Sequence, residues 1–204
     1  MTILYAVFAY IILCFGTLCH EWAHSLFAVI FGVKSNVFDI HYSYMPLFIG
    51  INENVDYNLV AMLPHWQGIL IAFAGLLVNF LFASGALILI IGFPHSKLLK
   101  YRWSFFFFYT LAFWNTIEWF NYMVIRNIFP SGDIAHMLRF DFSHTILLVT
   151  GILTSIGFLY LIFSSARLRF NEKFELSSHG QNVLLYNLII IFVIGQSLTT
   201  LFLF

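Results

Sequence analysis

Five apolar stretches, at about 3–31, 67–92, 104–125, 144–165 and 183–204, limit what this chain can become. Each is long enough to cross a bilayer as a helix, which takes roughly 20 residues. Lipid offers no partner to backbone N–H and C=O groups, so a run of this kind spans as an α-helix. Composition agrees: of 204 residues, 61% are hydrophobic, 20% aromatic and only 9% charged, with a mean hydropathy of +0.92. Nine basic and nine acidic side chains are too few to coat a soluble core of this size. The expected fold class is an all-α polytopic membrane protein of about five transmembrane helices, built as a single membrane domain over residues 1–204.

The linkers carry the turn and charge signals. Loops two and four hold Lys97, Lys100, Arg102, Arg167, Arg169 and Lys173, whereas loops one and three hold Lys34, Arg126 and Arg139. The positive-inside tendency then puts the N-terminus in the cytoplasm and the C-terminus outside. The first run has no basic stretch before it and reads as a retained membrane segment. Within the first linker, residues 37–60 are rich in β-branched and aromatic residues around Gly50 and Asn52, a pattern that predicts a short membrane-associated β-hairpin after the first helix. Cys14 and Cys19 lie five apart on one helix and point to different parts of it, so no disulfide is expected between them. The balanced net charge removes the case for a nucleic-acid partner, which calls for a basic face. The partner that composition implies is the lipid bilayer.

Inside the first apolar run stands "CHEWAH", residues 19–24. Residues four apart on a helix project from one face, so His20 and His24 can share one metal ion. Glu21 leans to the side, where it can hold a water without ligating the metal. This is the H-E-x-x-H arrangement of zinc hydrolases. Two imidazoles and a carboxylate in a membrane segment each cost several kcal/mol (~) unless partnered, and such residues usually mark function.

A catalytic zinc has three protein ligands and one open position. The candidates for the third are Asp133, His136, Glu118, His65 and His41. Asp133 follows Pro130 and Gly132, which break the helical pattern and allow a carboxylate to be aimed back into the bundle. His136 shares that face if a helix restarts there. Glu118, with Asn115 and Asn121, forms a polar stripe at spacing three along an aromatic span.

Three stretches together resemble the site-two protease family of intramembrane zinc metalloproteases. "HEWAH" matches the family's zinc-binding helix. "AGLLVNF" resembles its A-G-P-x-x-N motif, with Gly75 and Asn79 in place and Leu76 where proline is usual. "FNYMVIRNIFPSGD" resembles its F-N-x-x-P-x-x-P-x-D-G stretch, with extra residues between Asn121 and Pro130 and the order Gly-Asp for Asp-Gly. The resemblance covers about residues 3–140, the implied catalytic core, and leaves two additional spans in 144–204.

The resemblance implies that His20, His24 and Asp133 bind one zinc ion and that Glu21 is the general acid/base. Asn79 would lie near the substrate strand or the catalytic water, with Asn121 and Glu118 as further polar lining. The implied partner is a transmembrane protein or peptide substrate, cut in or near the bilayer. Leu76 and the loosened Asp133 stretch keep a rival in play, a non-proteolytic membrane protein that retains the metal site. A di-iron oxidase would need several histidine boxes, and a transporter would show a repeat between halves. The short, loop-poor build suggests a prokaryotic plasma-membrane protein.

Overall fold

The computed structural model describes residues 2–45, 48–177, 180 and 182. Helix α1 (Thr2–Ile30) sets the pattern of the bundle. Leu4, Val7, Ile11 and Phe15, and again Leu26 and Ile30, follow one another at spacings of three or four and are exposed, as a lipid-facing stripe requires. The opposite face buries His20, His24, Ser25 and Ala28. Polar groups thus point into the protein and apolar ones point out, the reverse of a soluble helix.

The first linker forms the expected hairpin, β1 (His41–Met45) and β2 (Phe48–Asn52), antiparallel with His41 opposite Asn52 and Ser43 opposite Gly50. Gly50 sits mid-strand, and a Cβ there would lie 2.2 Å from Ser43 Oγ. Strand β2 packs against α1. A short helix, α2 (Tyr57–Val60), capped by the Asp56 carboxylate, follows and closes a small apolar cluster of Ala28, Val60, Ile71 and Phe140.

Helix α3 (His65–Gly92) packs between α1 and α4 (Arg102–Phe120). Its buried face carries Gly68, Ala72, Gly75, Ala83 and Ala86, small residues at helical spacing that let neighbouring backbones approach closely. Without a hydrophobic drive between helices in lipid, this close packing holds the bundle together. Helix α4 passes into a π-helical turn at Asn121–Ile125, then a short α5 (Arg126–Ile128). Pro130 and the extended Ser131 break the chain before α6 (Gly132–Arg139), whose Gly132 has φ +55°. Helix α7 (His144–Leu161) runs through a second π-helical turn into α8 (Arg167–Phe174). Trp119 Nε1 donates to Thr154 Oγ1 at 2.8 Å, pinning α7 to α4.

Among the described residues, three helical segments are long and apolar enough to cross a membrane: Leu4–Ile30, His65–Gly92 and His144–Phe174. The segment expected at 104–125 is helical, but its tryptophans, Asn115, Thr116 and Glu118 make it less apolar than the other three. The stretch expected at 183–204 lies outside the described residues. Both cysteines are free, as their spacing implied.

Candidate metal centre

Three side chains from two distant segments converge. His20 Nε2 lies 3.1 Å from His24 Nε2 and 3.2 Å from Asp133 Oδ2, and His24 Nε2 lies 3.3 Å from the same carboxylate oxygen. All three residues are buried. The two histidines come from one face of α1, four residues apart. Asp133 comes from the first turn of α6, aimed inward by the break at Pro130 and by the left-handed backbone of Gly132.

The chemistry of this donor set fits a cation. His24 Nδ1 is 2.6 Å from the Ile71 carbonyl, so Nδ1 carries a hydrogen, and in the neutral ring Nε2 presents a lone pair. That lone pair faces a carboxylate oxygen, an acceptor facing an acceptor, which is unfavourable unless a proton or a metal ion lies between them. The separations of 3.1–3.3 Å are close to the roughly 3.3–3.4 Å between neighbouring ligands of a tetrahedrally held ion about 2.0–2.1 Å away. Gly75 of α3 leaves the room, since a Cβ there would lie 2.3 Å from His24 Nε2 and 2.5 Å from His20 Nε2. His20, His24 and Asp133 are the one such group among the described residues.

Glu21 stands beside the cluster, almost wholly buried, and its Oε2 accepts the backbone N–H of Glu53 at 3.1 Å. Two cavities meet it. One, of about 30 Å³, is lined by His20, Glu21, Asn79 and Glu118 and is large enough for a water. Asn79 Nδ2 is buried there without a protein partner. The other, of about 450 Å³, is bounded by Glu21, Asp133 and Arg126, by Glu53 at the end of the hairpin, and by Tyr57 and His136.

Asn79 and Glu118 both line the smaller cavity. Asn121 is buried in the π-helical turn and lines neither cavity. His136 is on α6 as a restarted helix required, but its ring stacks on Tyr57, with centroids 3.6 Å apart and planes 7° apart, away from the ligand cluster. Burial holds its imidazole below the usual histidine range and pushes the Tyr57 hydroxyl well above the usual phenol range, so both are neutral at pH 7. His65 is exposed and pairs with Asp141 at 3.4 Å, and His41 is exposed on β1. Glu53, Tyr57, Tyr122 and Arg126 were missed. Each belongs to a loop, a π-helical turn or a helix of only three or four residues, too short or irregular for a spacing rule to mark a residue as facing the site.

Together these features define a helical membrane protein with a buried two-histidine, one-aspartate cluster beside a carboxylate. The chain belongs to Peptidase family M50, the site-two protease family, whose family model matches residues 8–172. It is thereby a member of a metal-dependent family of membrane peptidases. Neither a curated protein nor a solved structure matches it.

Proposed function

We propose that this protein is an intramembrane zinc metalloprotease that hydrolyses a peptide bond in or near the transmembrane segment of another membrane protein. The observation that carries the reading is the convergence of His20 Nε2, His24 Nε2 and Asp133 Oδ2 at 3.1–3.3 Å, beside Glu21 and open to the 450 Å³ cavity. Those three residues would hold one zinc ion, which supplies Lewis acidity: it polarises a carbonyl and lowers the pKa of water towards ~7.

The chain's own residues supply the rest. Glu21 takes the proton of the attacking water and returns it to the leaving amine. The small cavity bounded by Asn79 and Glu118 gives water a place in an otherwise apolar bundle, and Asn79 Nδ2 has a hydrogen bond free to orient it. A helical substrate hides its carbonyls in i to i−4 bonds, so it must unwind locally before attack. The hairpin at the mouth of the larger cavity offers a strand edge on which an unwound segment could pair.

Glu21→Gln tests the reading. In membranes co-expressing candidate substrates, wild type should generate fragments detectable by mass spectrometry, and the variant should generate none while keeping its zinc. Equal fragment yields from the two would remove Glu21 from its assigned role.

A further inference from the structure

Arg126 is a cation that the catalytic reading does not use. Its guanidinium carbon sits 4.0 Å over the Tyr122 ring, and the centroid of that same ring is 5.2 Å from that of His20, a member of the metal cluster. Its Nη1 lies close against Gly132, where a Cβ would come within 2.6 Å of it. The tyrosine face and the side-chain-free backbone make a seat that fixes the guanidinium one residue before the ligand Asp133. Among the described residues no carboxylate oxygen lies within 4.0 Å of it, and its buried Nε has no hydrogen-bond partner. A guanidinium brings five donors in a planar fork, and the contact with the Tyr122 face uses none of them. This one lines the 450 Å³ cavity together with Glu21 and Asp133.

We infer that Arg126 is a specificity residue that binds a carboxylate of the bound substrate chain. The bidentate fork matches a carboxylate in geometry as well as charge. The guanidinium and the His20 ring both neighbour Tyr122, and an extended chain advances about 3.3 Å per residue. The recognised group therefore lies within about three residues of the scissile bond. The carboxylate is either an acidic side chain of the substrate segment or its free C-terminus.

This inference rests on the cavity being the substrate site, and a binding measurement separates it from the question of cleavage. The probe is a labelled apolar helical peptide of about 20 residues, with one glutamate stepped along it and a glutamine twin at every step. A second arm compares free-acid and amidated C-termini. Binding is measured by anisotropy to the full-length, detergent-solubilised Glu21→Gln protein, so that no peptide is consumed. One register, or the free-acid terminus, should bind about tenfold more tightly than its neutral twin. Adding Arg126→Gln should bring that ratio to about one, and Arg126→Lys should keep part of it. Bound zinc and a monodisperse elution profile certify that the variants fold.

An undiminished ratio in Arg126→Gln overturns the inference, as does the absence of any carboxylate preference in both arms. Acid-dependent binding by a protein whose wild type cuts none of the bound peptides would instead count against proteolysis and leave the recognition role standing.

Discussion

Gly75 faces His24 so closely that a Cβ would come within 2.3 Å of the imidazole Nε2. The glycine is there because α3 passes directly beneath the two ring nitrogens that converge with Asp133. Gly75→Ala should therefore lower bound zinc by about tenfold or more, since the methyl group occupies the space the rings need. Gly85→Ala, on the same helix with nothing within 4 Å of its would-be Cβ, should leave zinc unchanged. Elemental analysis of the two purified variants makes the comparison, and equal zinc in both would contradict it.

The third ligand can be tested against its nearest competitor. Asp133→Asn retains shape but loses charge, and zinc affinity should fall by about 10- to 100-fold. His136→Ala should keep the metal, because its ring stacks on Tyr57 away from the cluster. A competition titration with a chelator reads both; the opposite ranking would move the ligand from Asp133 to His136.

Glu53 reaches Glu21 through its backbone N–H, and its own carbonyl is held by the Lys34 ammonium, which also contacts the Asp39 carbonyl. Lys34 thus ties both ends of the hairpin segment together over the site. Removing the ammonium with Lys34→Met should speed amide exchange at Glu53 at least about fivefold. Hydrogen-exchange mass spectrometry on the peptide spanning residues 51–56 would detect this. Unchanged protection would mean that the hairpin is held by its contact with α1 alone.

Away from the site, Thr154→Val removes the acceptor of the Trp119 indole N–H. The loss should be about 0.6–1 kcal/mol, the usual worth of one interhelical hydrogen bond in a membrane protein. It should appear as a small drop in thermal stability in detergent with unchanged zinc content. A change in zinc content would show that the α4 and α7 contact reaches the metal cluster.

The parts of this architecture legible in the sequence are those governed by a period. His20 and His24 share a face because 3.6 residues make a turn, and the apolar runs announce their helices by length alone. The direction of Asp133 was readable from Pro130 and Gly132, which forbid a continuous helix. Span counting was less secure at 104–125, where the site's own polar residues dilute the apolar signal. Glu53 and Arg126 were not legible: Glu53 is placed by the register of the hairpin, and Arg126 follows Tyr122 by four residues through a π-helical turn, where α-helical spacing does not tell which residues share a face. Gly75 was visible as part of a motif, but the reason for it, the clearance beneath two imidazoles, exists only in three dimensions.

The π-helical turn at Asn121–Ile125 holds one residue more than an α-helix of the same rise would accept. That extra residue is taken up in the wider turn itself, so Arg126, the break at Pro130 and Asp133 keep close to the angular phase that a continuous α-helix one residue shorter would give them. Excising one residue from the turn should therefore tighten it to α-helical winding and leave the aspartate facing the imidazoles, whereas the same excision from the α-helical stretch before it would rotate everything downstream by about 100° and turn the aspartate away.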